Sequence, residues 1–209
     1  MALGVLLLAD AAITLVWQEP VSAVIAMIKR DHIDKRFLSY RSAPLSTADQ
    51  RELRALDERH RIAFLAHREE RQLRTGVAAG RITIPKMGLN ILFVQGTDET
   101  SLEEGPGHYP STALPGLGRT VAIAGHRTTY LAPFRHLDVL RPGDRILLTM
   151  PYGRFTYTVQ YHRVVPPNSW WITRNVGYDR LVLSACNPLY SAAQRIAVFA
   201  KLSKDSPTR

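Results

Sequence analysis

Cys186 is the only cysteine among 209 residues, and it closes the short apolar run Leu181-Val-Leu-Ser-Ala185. Asn187-Pro188 follows, and a second apolar run opens with Arg195 at its start. Two strands joined by a short loop set the end of one beside the beginning of the next. Cys186 and Arg195 are therefore expected as neighbours on one rim of a sheet. A guanidinium beside a thiol favours the thiolate and makes a nucleophile. The competing reading is a buried, inert Cys186 and a solvated Arg195. A cysteine nucleophile also needs a group that moves protons, most often histidine. Of the seven histidines, His32, His60 and His67 fall in a densely charged region, His162 in a strand pattern and His136 in a Pro-Phe-Arg-His-Leu turn. Two have distinctive settings: His108 in Gly105-Pro-Gly-His-Tyr-Pro110, and His126 in Val121-Ala-Ile-Ala-Gly-His126-Arg-Thr-Thr-Tyr130. His126 follows an apolar run and one glycine, a strand end like that of Cys186, where a side chain is rigid yet accessible.

The elements that would hold these residues fall into three regions. Residues 1–28 contain two apolar pieces, Ala2 to Trp17 and Val21 to Ile28, separated by Gln18-Glu19-Pro20. Together they reach the roughly 20 residues of a membrane span and carry no small-residue cleavage site, so a retained anchor is expected. The basic residues that follow favour a cytoplasmic C-terminal side. Residues 29–79 mix acids and bases into a charged, partly helical segment, a stalk or a helix lying on the domain. A helix start is expected at Ser46-Thr47 with a Thr47…Gln50 capping spacing, and Leu53, Leu56, His60, Phe64 and Leu65 continue at helical spacing toward Gly76. Residues 80–209 break into short, often alternating apolar pieces bounded by Gly, Pro, Asn or Asp, with a tight turn at Tyr152-Gly153. That pattern predicts a mainly β barrel or sandwich with a few short helices.

Composition narrows the function classes. One cysteine excludes an internal disulfide and any multi-cysteine metal site. No histidine pair shows ligand spacing beside carboxylates, so neither a metal nor another cofactor is expected. The formal charge of +9 suits anionic surroundings. Nucleic acid is not expected as a partner, because no interleaved aromatics or reading motif accompany the basic residues.

Ala-Gly-His126-Arg-Thr, followed by Leu-Ser-Ala-Cys186 and then Arg195, resembles the sortase family. Further matches are Gly105-Pro-Gly-His-Tyr-Pro110, Thr-Tyr-Leu-Ala-Pro-Phe134 and Leu140-Arg-Pro-Gly-Asp-Arg-Ile146. The resemblance covers about residues 80–202, and with the charged stalk it is most similar to class E sortases of high-GC Gram-positive bacteria. It implies a closed eight-stranded β-barrel behind a single-pass membrane anchor, with the catalytic domain on the outer face of the cell membrane. That orientation is opposite to the one the flanking charges favour.

The implied activity is cysteine transpeptidation, in which a protein with a C-terminal Leu-Pro-x-Thr-Gly or Leu-Ala-x-Thr-Gly sorting signal is cut between Thr and Gly. Cys186 would form a thioacyl intermediate, His126 would move protons, and Arg195 would hold substrate or stabilise the oxyanion. The acceptor would be an amine on a peptidoglycan cross-bridge or a pilin lysine. His108, Thr128, Tyr130, Ala185 and Tyr190 are the candidates for substrate contacts. Ala185 departs from the family's Thr-Leu-x-Thr-Cys pattern, having no hydroxyl beside the nucleophile. Two other classes compete: a catalytically idle barrel acting as a surface binding module, and a plain cysteine protease whose intermediate is resolved by water.

Overall fold

The computed structural model describes residues 22–24, 26–27, 37 and 45–207. Most of the expected anchor, 1–28, lies outside the described residues, and none of the helices among them is long and apolar enough to cross a membrane.

Eight strands form the domain: β1 Ala78–Ile84, β2 Leu89–Gln95, β3 Gly107–His108, β4 Thr120–Ala124, β5 Arg145–Met150, β6 Gly153–Val165, β7 Arg180–Asn187 and β8 Gln194–Pro207. They close into a barrel in the order β1-β2-β3-β4-β7-β8-β6-β5. Closure leaves no unpaired sheet edge. The alternation in the sequence is the reason the barrel has an inside. Ile82 and Ile84, Ile146, Leu148 and Met150, Phe155, Tyr157 and Val159, Leu181, Leu183 and Ala185, and Ile196, Val198 and Ala200 share one buried cluster. Each such aliphatic or aromatic side chain contributes on the order of 2 kcal/mol of burial energy.

The opposite faces of β4, β7 and β8 are not left to solvent. Ala122, Val182, Ala197 and Phe199 pack there beneath Val165 at the end of β6 and Ile172 of the β6–β7 connection, which carries a 3-10 helix at Trp170–Thr173. This is why β7 reads as an unbroken apolar run: six successive residues, Arg180 to Ala185, are buried.

Within 45–79 the charged region forms two helices, α1 Thr47–Ala55 and α2 Glu58–Gln72, where the spacing predicts one. The break follows from Asp57, whose carboxylate accepts the His60 amide at 3.0 Å and opens a new helix. The cap of α1 is Ser46 rather than Thr47; its hydroxyl accepts the Asp49 amide at 3.1 Å. Ile62 and Ala66 of α2, with Leu73 at its end, belong to the main core, so α2 lies on the barrel instead of standing away from it. His60, expected on the apolar stripe, is exposed. Ahead of the helices, Phe37 packs with Ala78, Leu92 and Val94 on the outside of the barrel.

Candidate active site

β4 and β7 run parallel, with Thr120 opposite Arg180 and Ala124 opposite Ser184. Extending that register by two residues sets His126 level with Cys186. The hydrogen bonds agree: the Gly125 amide donates to the Ser184 carbonyl at 3.0 Å, and Arg127 Nη1 donates to the Cys186 carbonyl at 3.4 Å. On the other side of β7, Cys186 pairs directly with Arg195 of β8. His126, Cys186 and Arg195 thus occupy one rim on three neighbouring segments of the barrel.

Cys186 is half-buried and has no disulfide partner. It lines a cavity of about 340 Å³ together with Arg127, Thr128, Tyr190, Ser191 and Ala192. Arg195 is held by Nη1, which donates to the Ala192 and Gln194 carbonyls at 2.9 Å each. It also borders a narrow cleft with Tyr109, Ser184, Trp170 and Pro166. The Tyr109 and Ser184 hydroxyls hydrogen-bond at 3.1 Å across that cleft. His126 is half-buried, and its ring lies 5.2 Å from that of Tyr130. Partial burial lowers the imidazole pKa from its ordinary value, with Glu103 and Glu99 pulling weakly the other way.

The substrate-contact candidates divide sharply. Thr128 and Tyr190 share the cavity with Cys186. Tyr130 does not; its ring packs on His126 and its hydroxyl donates to Glu103 Oε1 at 3.1 Å. Its amide donates to Ser22 Oγ at 2.9 Å. Ala185 lies with its methyl in the core, where it is 3 % exposed, because strand alternation turns it inward. The residue that reaches the cleft is Ser184. It was visible in principle, because residues two apart on a strand share a face and Ser184 stands two before Cys186.

His108 also lies inside, away from the Cys186 cavity. It is 1 % exposed, with Nδ1 2.7 Å from Gln95 Oε1 and Nε2 3.0 Å from the Ala113 carbonyl. Both ring nitrogens serve to tie β3 to its neighbours. Burial pushes its pKa down to about 4. The sign follows directly. The unfolded chain takes the proton near pH 6.5 and the folded one only near 4, so stability present above 6.5 is lost as pH falls through that window. Urea denaturation is expected to show about 3 kcal/mol of loss by pH 4 from this group. In His108→Gln, the slope of stability against pH over that window should flatten.

Gly125 meets a steric demand. A Cβ there would stand 2.6 Å from Phe134 Cδ2 and 2.9 Å from two further ring atoms. Phe134 is fully buried, and its amide donates to the His126 carbonyl at 3.0 Å. Gly125→Ala must displace either the ring or the histidine. Overpacking of this kind costs about 1–3 kcal/mol. Turnover is expected to fall about 100-fold from misplacement of His126, read as kcat of the folded variant alongside its melting temperature.

No group of three or more His, Cys, Asp or Glu side chains suited to a metal ion occurs among the described residues. The chemistry available at the rim is that of a thiol, an imidazole and a guanidinium.

Comparison with known proteins agrees with this arrangement. A family model described as a sortase domain matches residues 82–203. Sortase D of Bacillus subtilis is 33 % identical over 131 residues, covering 61 % of this chain and 65 % of that protein. Sortase SrtE1 of Streptomyces coelicolor is 28 % identical over 140 residues, covering 59 % of this chain and 40 % of that one. The chain thus spans less than two thirds of these curated relatives. Among solved structures, sortase E of Streptomyces avermitilis superposes with a TM-score of 0.59 at 31 % identity, over 64 % of this chain and 93 % of the other. With the family model covering more than half of the sequence and the same closed barrel present, the chain belongs to the sortase family.

Proposed function

We propose that this protein is a cysteine transpeptidase that cuts a Leu-Pro-x-Thr-Gly or Leu-Ala-x-Thr-Gly sorting signal between Thr and Gly and passes the acyl group to an amine. The observation that carries the reading is the alignment of His126, Cys186 and Arg195 at one rim, with a cavity opening at the thiol. Cys186 gives its S–H proton to His126, and the sulfur attacks the threonine carbonyl carbon so that a C–S bond forms. The tetrahedral oxyanion collapses, the C–N bond breaks, and the leaving glycine amine takes a proton from His126. An incoming amine then attacks the thioester, gives its surplus proton to His126 and releases the thiolate, so the enzyme is regenerated. Arg195 stays charged at any working pH and acts as a donor to the substrate backbone or the oxyanion. One solved relative, sortase E1 of Streptomyces coelicolor, holds a tripeptide in its active site, which supports a peptide in the corresponding groove here.

The acceptor amine belongs to a peptidoglycan cross-bridge or a pilin lysine, and the domain works on the outer face of the cell membrane. Support for the membrane is the apolar composition of residues 2–28. Ser22 holds the Tyr130 amide, so the segment in lipid would end ahead of Ser22. Release of the full chain from membranes by salt wash, without detergent, would remove the anchor from this reading.

The deciding experiment incubates the purified protein with Leu-Pro-x-Thr-Gly and Leu-Ala-x-Thr-Gly peptides, with and without an amine, and identifies products by mass. Cleavage after Thr with transfer to the amine is expected. Free acid alone at high amine concentration would make the protein a hydrolase.

A further inference from the structure

Arg127 is a guanidinium only 4 % exposed, one residue after His126. Four groups hold it. Nη1 donates to Asn187 Oδ1 at 2.9 Å and to the Cys186 carbonyl at 3.4 Å. Nη2 pairs with Asp138 Oδ1 at 3.0 Å, and Nε donates to the Arg135 carbonyl at 3.3 Å. Its partners come from the end of β7, from the loop that follows His126, and from the 3-10 helix Leu137–Val139. A buried cation is retained only where nearly every N–H is matched, and here the partners bracket both ends of the thiol–imidazole pair. The segment after His126 is held at its other points by Phe134, fully buried with its amide on the His126 carbonyl, and by the bonds of Tyr130 to Ser22 and Glu103. Its tie to the end of β7, beside the thiol, runs through Arg127. Tyr130, Leu131 and Ala132 all sit at positive φ, a conformation that non-glycine residues hold only under outside constraint.

We infer that Arg127 is a positioning residue, a buried clamp that fixes His126 against Cys186 by gripping Cys186 and Asn187 from the histidine's own loop. This inference rests on the proposed transpeptidase roles of His126 and Cys186. The clamp supplies no proton, and although Arg127 borders the cavity at the thiol, four of its N–H bonds are spent on protein groups. Its effect is to hold two reacting groups in register, where misplacement by about 1 Å costs about 100-fold in rate.

The test measures alkylation of Cys186 by iodoacetamide against pH in the full chain, in four forms: the natural protein, His126→Ala, Arg127→Gln and the double variant. Coupling between imidazole and thiol means that His126→Ala shifts the profile, expected at about one pH unit. If Arg127 positions the pair, the same histidine change has little effect in the Arg127→Gln background. Equal shifts in both backgrounds would overturn the inference. So would an absent shift in the natural protein, since no coupling would then exist to be held. The readout needs no peptide, so failure to cleave sorting signals would count against the proposed function and not against the clamp. Melting temperature shows whether each form is folded. Should Arg127→Gln not fold, Asp138→Asn carries the same comparison, because Asp138 is 55 % exposed and holds Arg127 from the solvent side. With an active peptide substrate, kcat is expected to fall about 100-fold in Arg127→Gln while KM stays within about threefold. A rise in KM alone would assign Arg127 to substrate binding instead.

Discussion

Cys186→Ala is expected to abolish cleavage and transfer together, with a loss of about 10⁴-fold or more in kcat, while the barrel stays folded. The size follows from chemistry. Removing a nucleophile removes the covalent route altogether, and residues acting as a unit leave only the weak catalysis of binding and oxyanion donors. The intact fold follows from position. Cys186 is half-buried at the end of β7, beyond the fully buried stretch that ends at Ala185. Loss of its sulfur deletes no central core contact, so the stability change should be within about 1 kcal/mol. Activity and melting temperature on the same preparation separate these effects. A 10⁴-fold loss with an unchanged melting temperature is the expected pair. Retained turnover would mean that another group attacks, whereas an unreactive natural protein with an inert thiol would make the domain a binding module. Cys186→Ser sharpens the comparison. A hydroxyl in place of the thiol has the right size but a far higher pKa and is a far weaker nucleophile, so the serine form should also be inactive toward peptide.

How much of this site could be read from the chain depends on which contacts are local. The pairing of Cys186 with Arg195 could be, because a loop of a few residues joins their strands and alternation with turn residues fixes the rest. The juxtaposition of His126 with Cys186 is different. It depends on parallel pairing of β4 with β7 across some sixty residues, for which the chain offers only the matching strand-end settings of the two residues and the family resemblance. Burial was the weakest inference. His108 in its Gly-Pro loop has the look of an exposed functional residue, yet a two-residue strand, β3, draws it inside, where it serves as a hydrogen-bond bridge. Strands that short have no period to detect. The inward turn of Ala185 is hidden for a related reason: in β7 both faces are covered, so an apolar run carries no alternation to say which side chain faces the rim. Arg127 went unnoticed because an arginine beside a histidine in a loop normally reads as a solvated charge; its burial is a product of four contacts from distant segments. The stalk helix breaks at Asp57 because one carboxylate side chain caps a new helix, a choice that helical spacing alone does not register.

Arg195→Ala is expected to lower kcat/KM by about 10²- to 10³-fold, the usual consequence of removing one preorganised donor at an oxyanion or substrate carbonyl. The prediction rests on how the guanidinium is held. Both of its hydrogen bonds to described residues run through Nη1, to the Ala192 and Gln194 carbonyls, which fixes the head group at the mouth between the thiol cavity and the cleft under Trp170. Those bonds leave Nε and Nη2 to meet a substrate. Arg195→Lys keeps the charge but has a single ammonium on a flexible stem. It can grip the loop carbonyls or turn toward the substrate, but it cannot match the planar fork in doing both. Recovery by lysine should therefore be partial, within about tenfold of the alanine form. Stability should barely move, since the side chain stands at a rim and not in the core. The measurement is steady-state cleavage of a sorting-signal peptide by the three forms, with single-turnover trapping of the thioacyl intermediate. If Arg195 acts on the oxyanion, acylation slows while peptide affinity changes little. If it holds the substrate backbone, affinity falls in step with rate. Full activity in Arg195→Ala would remove the guanidinium from the mechanism and leave His126 and Cys186 as a dyad working without it.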